Sequence, residues 1–297
     1  MHSTPNEQLR ATQVISMKLV NNNIVLSATD LSNHLSCKHL TQLNIGHVRK
    51  KLMRPERKNQ FLDRIIEMGL KHEAAYLQHL TYSGQTVLEI DFKDPEAQSK
   101  TVNAMQKGVD YIAQGELVNQ QWTGRPDLLV RVDRPCPAFG NWSYEVADTK
   151  LTRTTKSGTI LQLCVYSDLL TQLQQLPPES MHVVMPSDDT SSMINGPLIN
   201  GPLINGKGFI EEAYRYDDYA AYYRLSKKRL LHELQSAGDT YPDPVEHCDI
   251  CQWWTHCDKT LFTVPVLIDV LRCCGFFCTL HTNVPRQSNS FGPTTLW

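Results

Sequence analysis

Two aspartates and a lysine, Asp127, Asp148 and Lys150, flank a segment of alternating apolar and polar residues. Residues 127–132 and 142–150 both alternate with period two, which predicts two strands, and Pro and Gly fill the loop between them. A hairpin symmetric about that loop sets Asp127 directly opposite Asp148, where like charges destabilise a sheet. Because a divalent cation removes this repulsion, the pattern favours a metal site with a lysine beside it.

The alternative interpretation of these residues is a surface hairpin whose charged ends face water. The next segment argues against it, because residues 156–172 carry apolar side chains at helical spacing. Gln162 and Tyr166 lie four residues apart on that helix and share a face. A strand that ends in Asp-Thr-Lys and runs into such a helix is more specific than a solvated hairpin.

A long amphipathic helix predicted over residues 61–80 carries His72 on its apolar side, followed directly by Glu73. From the residues alone, a buried histidine held by a hydrogen bond is a commoner explanation than a metal ligand. Ser27 and Asp30 predict the start of an earlier helix, which would carry Cys37. The remaining predicted strands are 21–26, 87–92, 115–122 and 181–185, and the remaining predicted helices are 95–109 and 214–234.

Three cysteines, Cys248, Cys251 and Cys257, follow the spacing Cys-x2-Cys-x5-Cys that is typical of metal ligands. From spacing alone zinc is favoured over an iron–sulfur cluster, and either would need a fourth ligand. The candidates for that ligand are Cys37, His247, His256, Cys273, Cys274 and Cys278. The two other cysteines, Cys136 and Cys164, are interpreted as structural.

The chain has a formal charge of −2, so binding to nucleic acid would depend on locally concentrated positive charge. One basic run is the strongest candidate for phosphate contact. It consists of Arg49, Lys50, Lys51, Arg54, Arg57 and Lys58.

The sequence predicts neither a secretory signal nor a membrane span. Residues 1–13 contain Glu7 and no apolar run. Residues 261–280 are apolar, but Pro265, Asp269 and Arg272 interrupt them, and each central charge would cost about 2.5–3.5 kcal/mol in a bilayer. We therefore expect a cytoplasmic protein with no membrane partner.

Taken together, these motifs resemble the PD-(D/E)XK nuclease superfamily, and within it the RecB-like nucleases that carry an iron–sulfur cluster. The superfamily's first acidic residue matches Asp127, its D-x-K step matches residues 148–150, and its Q-x-x-x-Y element matches Gln162 and Tyr166. A histidine on an upstream helix matches His72. The resemblance implies an α/β fold with a restriction-endonuclease-like core, a mixed central sheet flanked by helices, and an Fe–S clasp.

The resemblance also implies the site residues and the cofactors. Mg²⁺ or Mn²⁺ would be held by His72, Asp127, Asp148 and the carbonyl of Thr149. Catalytic roles fall on Asp127, Asp148, Lys150, Gln162 and Tyr166. A [4Fe–4S] cluster, with zinc as the alternative, would be held by Cys37, Cys248, Cys251 and Cys257.

The implied activity is metal-dependent hydrolysis of phosphodiester bonds by a deoxyribonuclease of exonuclease type. Its partner would be nucleic acid, single-stranded DNA rather than RNA, together with a helicase or another repair protein. The alternative is a catalytically silent nucleic-acid-binding or assembly module that keeps the fold and the cluster. A degenerate module has no reason to retain Asp127, Asp148 and Lys150 together.

The resemblance divides the chain into three parts. Residues 1–25 form an N-terminal segment, residues 26–259 the nuclease domain with its cysteines, and residues 260–297 an atypical tail that we expect to be poorly ordered. The sequence Gly-Pro-Leu-Ile-Asn occurs twice in residues 194–206, where Gly and Pro predict an exposed loop. We assign this repeat no function.

Overall fold

The computed structural model describes residues 16–56, 60–187, 208–235 and 240–263. In this part of the chain ten strands form two sheets, and seven α-helices accompany them. The strands are β1 (Lys18–Val20), β2 (Asn23–Ser27), β3 (Val87–Glu89), β4 (Tyr111–Ala113), β5 (Leu117–Val118), β6 (Trp122–Gly124), β7 (Leu128–Val132), β8 (Ser143–Thr149), β9 (Ser180–Ser187) and β10 (Gly208–Arg215). The helices are α1 (Ala28–Ser36), α2 (Lys38–Val48), α3 (Gln60–Tyr82), α4 (Ala97–Gln106), α5 (Ser157–Gln174), α6 (Tyr216–Gln235) and α7 (Trp254–Thr263).

The larger sheet has the strand order β10-β9-β8-β7-β4-β3 and mixes parallel with antiparallel pairs. All seven residues of β8 are buried, which is typical of a strand covered on both faces. Val146 packs in one apolar cluster with residues of α5, and Ala147 packs in a second cluster with Tyr76 and Leu80 of α3. The expected mixed sheet flanked by helices is therefore confirmed.

The β7–β8 hairpin has the register that loop symmetry predicts. Leu128 pairs with Ala147, and Val132 pairs with Ser143. One further step in this register brings Asp127 opposite Asp148. The hairpin therefore delivers both carboxylates to the same end of the sheet.

The smaller sheet, in the order β1-β2-β6-β5, supports the entry into α1. The backbone N–H and the hydroxyl of Ser27 both donate to Asp30 Oδ2, at 2.8 and 2.7 Å. This is the N-terminal capping that the sequence predicts. Cys37, however, does not continue the helix, because its extended backbone (φ −159°, ψ 113°) separates α1 from α2. Its Sγ instead accepts a hydrogen bond from the N–H of Leu40, at 3.4 Å.

Three strands escape the sequence prediction, namely β1, β4 and β10. β4 has only three residues, too few for a period to be recognised. β10 is an edge strand. Its two consecutive glutamates, Glu211 and Glu212, interrupt the alternation of apolar and polar residues by which a strand is recognised in the sequence. The predicted strand 115–122 is divided into β5 and β6 by a turn in which Asn119 accepts from two backbone N–H groups.

None of the helices in the described part of the chain has both the length and the apolar character needed to cross a bilayer.

Several features predicted from the sequence lie wholly or partly outside the described residues. Residues 260–263 of the predicted tail belong to α7. The features outside are the Gly-Pro-Leu-Ile-Asn repeat, Arg57, Lys58, Cys273, Cys274, Cys278 and residues 264–297.

Three polar side chains, one from each of the strands β8, β9 and β10, form a hydrogen-bonded network. His182 Nε2 lies 2.7 Å from Glu145 Oε2, and His182 Nδ1 lies 2.6 Å from Glu211 Oε1. Glu145 Oε1 also accepts from the backbone N–H groups of Glu179 and Ser180. Burial alone would lower the pKa of His182, but its hydrogen bonds to the two glutamates outweigh burial and raise the pKa to about 9. A charged histidine therefore joins these strands at neutral pH.

We expect His182→Gln to destabilise the protein by roughly 2–3 kcal/mol, and only when His182 would be charged. A pKa raised on folding from 6.5 to about 9 contributes stability that is complete below 6.5 and is lost as the pH rises through 9. Urea unfolding of wild type and variant at both ends of this window measures the difference. A difference that stays constant across the window would contradict the charged assignment.

Candidate active site

The two predicted aspartates converge at the end of the β7–β8 hairpin. Asp127 Oδ2 accepts hydrogen bonds from the backbone N–H of Thr149 at 2.7 Å and from its hydroxyl at 2.9 Å. Asp148, at 5% exposure, is almost fully buried one residue earlier on β8. The hydrogen bonds to Thr149 hold the Asp127 carboxylate against the last residue of β8, beside Asp148.

Lys150 forms an ion pair with Asp148 Oδ2. Its backbone N–H donates to the carbonyl of Val184 at 2.8 Å, so β8 and β9 stay together one residue beyond Thr149. Burial raises the pKa of Asp148, Lys150 opposes the rise and Asp127 adds to it. Burial is therefore a larger cause of the raised pKa of Asp148 than repulsion between the two carboxylates.

A third carboxylate, Glu73 on α3, joins this pair. Gln114 Nε2 donates to Glu73 Oε1 at 2.6 Å and reaches Asp127 Oδ1 at 3.4 Å, so one carboxamide bridges two acids. Burial raises the pKa of Glu73 well above its usual range, and the charges of Asp127 and Asp148 raise it further. The cluster therefore contains three neighbouring carboxyl groups, and the pKa values of two of them, Glu73 and Asp148, are raised.

Sequence reasoning missed both Glu73 and Gln114. Glu73 is visible in the sequence only as the residue after His72, and adjacent helical residues do not normally share a face. Gln114 follows β4 with a positive φ of 54° and donates its backbone N–H to the carbonyl of Asp127 at 3.0 Å. No short motif signals such a position, because it depends on pairing between β4 and β7.

His72 lies at the edge of the cluster. Its Nε2 is 3.4 Å from the carbonyl oxygen of Val184, and its ring packs against Phe209 with centroids 5.5 Å apart. The same carbonyl accepts from the backbone N–H of Lys150. One backbone group therefore connects the predicted histidine with the predicted lysine.

Helix α5 brings Tyr166 to the two aspartates. Burial raises the pKa of its hydroxyl well above the usual range, and the nearby charges of Asp148 and Asp127 contribute further. Gln162 lies one turn earlier on the same face, half-buried. The tyrosine ring reaches this position because it packs against Gly124, which has no side chain to exclude it.

Replacing Gly124 with alanine should displace Tyr166 and destabilise the fold by about 1–3 kcal/mol. A Cβ on Gly124 would lie 2.6 Å from Tyr166 Cδ1 and 2.8 Å from Cε1. The matched control is Gly69→Ala on α3, where a Cβ meets nothing within 4 Å and alanine should stabilise the helix by about 1 kcal/mol. Urea unfolding compares the two variants, and equal stability would contradict the close packing.

The four predicted cluster ligands lie around one cavity. Cys37, Cys248, Cys251 and Cys257 all line it, although Cys37 is more than 200 residues from the others. Burial raises the pKa of Cys257 to about 11, and the three other sulfurs contribute to the rise. Trp253 connects the segment that carries Cys251 to α2, since its Nε1 donates to Asn44 Oδ1 at 2.9 Å.

The two remaining cysteines in the described residues have separate environments. Cys136 Sγ donates to the carbonyl of Trp142 at 3.1 Å, and Cys164 lies 3.8 Å from the sulfur of Met181 in the core. Within residues 16–56, 60–187, 208–235 and 240–263, no three His, Cys, Asp or Glu side chains are already arranged as a metal site.

A family description matches the chain over residues 33–258, namely the PD-(D/E)XK nuclease superfamily. The chain belongs to this superfamily. The matched region contains both aspartates, Lys150 and all four cysteines around the cavity. Superfamily membership indicates a nuclease-type function, and it supports the coarse fold expectation of a restriction-endonuclease-like core.

Other comparisons of this superfamily member add little. No curated protein matches the chain. A solved structure described as "Crystal structure of SSO0001" is 14% identical, covers 86% of this chain and 94% of its own, and has a TM-score of 0.33.

Proposed function

We propose that this chain is a metal-dependent nuclease that hydrolyses phosphodiester bonds, with single-stranded DNA preferred over RNA. The observation that carries the proposal is the convergence of Asp127, Asp148 and Lys150 at one end of the hairpin in a member of a nuclease superfamily. Exonuclease action, and a helicase or repair partner that supplies the unpaired strand, belong to the same proposal.

The donor set fits Mg²⁺ or Mn²⁺, which prefer oxygen ligands. Asp127, Asp148, His72 and the Thr149 carbonyl would hold the ion, with Glu73 as a further carboxylate. Asp148 is buried and Glu73 and Asp127 are half-buried beside it, and a divalent cation would balance the negative charge that these three carboxylates bring together. When bound, the ion would supply a Lewis acid and lower the pKa of a water that attacks phosphorus.

The chain's own residues position the reacting groups. Lys150 would orient the attacking water or neutralise charge that develops on the scissile phosphate, a role suited to a compact cation. Neighbouring carboxylates outweigh the effect of burial and raise the pKa of Lys150, so its ammonium stays charged. Tyr166 and Gln162 would position Lys150 or the substrate backbone.

We further propose that the cysteine cavity holds a [4Fe–4S] cluster, with zinc as the alternative. Four cysteines that line one cavity offer the ligand set that either group requires. Backbone N–H groups of Leu40 and Val245 donate to Cys37 and Cys248, each at 3.4 Å, and such hydrogen bonds tune the reduction potential of iron–sulfur clusters.

Because the cytosol keeps thiols reduced, we place the protein in the cytoplasm.

Lys150→Met tests the proposed role of the lysine. In a cleavage assay on end-labelled single-stranded DNA with Mg²⁺, the variant should be slower than wild type by roughly 10²–10³-fold. Lys107→Met, an exposed lysine at the end of α4, should cut at the wild-type rate. Thermal unfolding confirms that both variants are folded.

Parallel reactions on RNA and duplex DNA test the substrate preference, because single-stranded DNA should be cut fastest. A Lys150→Met variant as fast as wild type would contradict the assigned role. A wild type that binds single strands and cuts none of these substrates would favour the catalytically silent module.

A further inference from the structure

A polar cleft of about 450 Å³ lies away from the three acids, beside the smaller sheet. Its polar lining comes from three places. Asn22 and Asn23 belong to the β1–β2 hairpin, Arg49 follows α2, and Gln120 and Gln121 precede β6. The cleft has the volume of a typical small-molecule site, although its lining is more polar than usual.

Local backbone structure fixes the walls of this cleft. Asn21 and Asn22 have positive φ angles of 49° and 64°, as a tight two-residue hairpin turn requires, and asparagine tolerates that conformation. On the facing wall, Asn119 Oδ1 accepts from the N–H groups of Gln121 and Trp122, at 2.9 and 2.7 Å. The two walls are joined because Leu26 N–H donates to the carbonyl of Gln121 at 2.9 Å.

The basic run that the sequence singles out is divided by the structure. Arg54 turns inward, where its guanidinium donates to Asn44 at 3.2 Å and to Ser16 at 3.4 Å. Arg49 is exposed in the cleft, and no ion pair ties it to an acid within the described residues. Arg49 is therefore the member of the run that lies beside a formed recess.

The side chains in the cleft are complementary to a nucleotide. A carboxamide offers a donor and an acceptor together, which matches the edge of a nucleobase, and arginine matches phosphate. None of the side chains of Asn22, Asn23, Arg49, Gln120 and Gln121 hydrogen-bonds to another residue in the described part of the chain. Their hydrogen-bonding groups are free to meet a ligand.

We propose, on the basis of the proposed nuclease function, that this cleft binds one nucleotide of the substrate strand at a distance from the cut. Arg49 contacts the phosphate, and the carboxamides of Asn23 and Gln121 contact the base. Six residues separate Gln121 from Asp127, so at the rise of a strand the two lie at most about 20 Å apart. A strand with stacked bases covers that distance in about six nucleotides.

The test measures binding without divalent ions, so that nothing is cut. Fluorescence anisotropy compares labelled single strands of about three and about twelve nucleotides, because only the longer one spans cleft and acids. Arg49→Gln should weaken binding of the long strand roughly tenfold and reduce the advantage in affinity that the long strand has over the short one. The control Lys107→Gln removes an exposed charge elsewhere and should have little effect on either strand.

Salt dependence separates the two proposed contacts. Arg49→Gln should reduce the slope of log affinity against log salt by about 0.7, the value for one phosphate contact on a single strand. The double variant Asn23→Ala, Gln121→Ala removes no charge, so it should weaken binding of the long strand without changing the slope. Equal affinity of wild type and both variants for the long strand would overturn the proposal.

Adenosine monophosphate, as a competitor, distinguishes a strand from a free nucleotide. It should displace the long strand only weakly. If it binds wild type as tightly as the long strand does and Arg49→Gln removes both, the cleft is a free-nucleotide site and the strand assignment is wrong. If the wild type binds strands through Arg49 but never cuts them, the proposed binding cleft is supported and only the proposed nuclease function is contradicted.

Discussion

Asparagine in place of Asp148 should abolish cleavage and leave the fold intact. The side chain is buried at 5% exposure, so a neutral amide of the same shape fills the same space. The change removes a buried charge and its repulsion with Asp127, and the ammonium of Lys150 keeps the nearby charges of Asp127 and Glu73 when it loses its ion pair with Asp148. We expect a loss of cleavage of at least roughly 10²–10³-fold, with unchanged or increased unfolding free energy.

The matched control for this variant is Asp133→Asn. Asp133 belongs to the same hairpin but its side chain is 91% exposed, and its pairing with Arg131 spans 3.5 Å. An exposed pair of this kind contributes little, so both activity and stability should stay at wild-type values. The variants are compared by initial rates on labelled single-stranded DNA with Mg²⁺ and by urea unfolding. An Asp148→Asn variant that cuts at the wild-type rate would contradict the assigned site.

Serine in place of Cys251 should remove the metal group that we propose for the cysteine cavity. After anaerobic purification, wild type should show the broad visible absorption of an iron–sulfur cluster, and Cys251→Ser should lose most of it because serine is a poor ligand for such iron. Since α2 and the segment around Trp253 meet at this cavity, the variant should also unfold at a lower urea concentration.

Cys136→Ser is the control for the cysteine prediction, because Cys136 is buried elsewhere and bonds to Trp142. It should keep the absorption and the iron content of wild type. A colourless wild type with stoichiometric zinc would select the zinc alternative. A wild type that is free of both metals, with Cys251→Ser equally stable, would contradict a metal group at this cavity.

The hairpin could be predicted from sequence because its information is local. Period-two alternation on both sides of one loop fixes the register, and the register alone brings Asp127 opposite Asp148. The capping of α1 by Ser27 and Asp30 was predictable for the same reason, since the two interacting residues are only three positions apart.

The remainder of the site depends on contacts between distant segments. Gln114 bridges Glu73 and Asp127 only because β4 pairs with β7, and β4 is too short to recognise in the sequence. The dominance of burial in raising the pKa of Asp148 likewise follows from packing on both faces of β8. Sequence spacing indicates which side chains can take part in the chemistry, whereas packing determines their pKa values.

The most direct test of the nuclease assignment is the metal dependence of cleavage by the wild-type protein. End-labelled single-stranded DNA is incubated with Mg²⁺, with Mn²⁺, or with a chelator, and the products are separated by length. Because carboxylate oxygens are the ligands that both ions prefer, the cluster of Glu73, Asp127 and Asp148 predicts cleavage with either ion and none with the chelator. Cleavage that persists in the chelator, or intact substrate under all three conditions, would contradict the account.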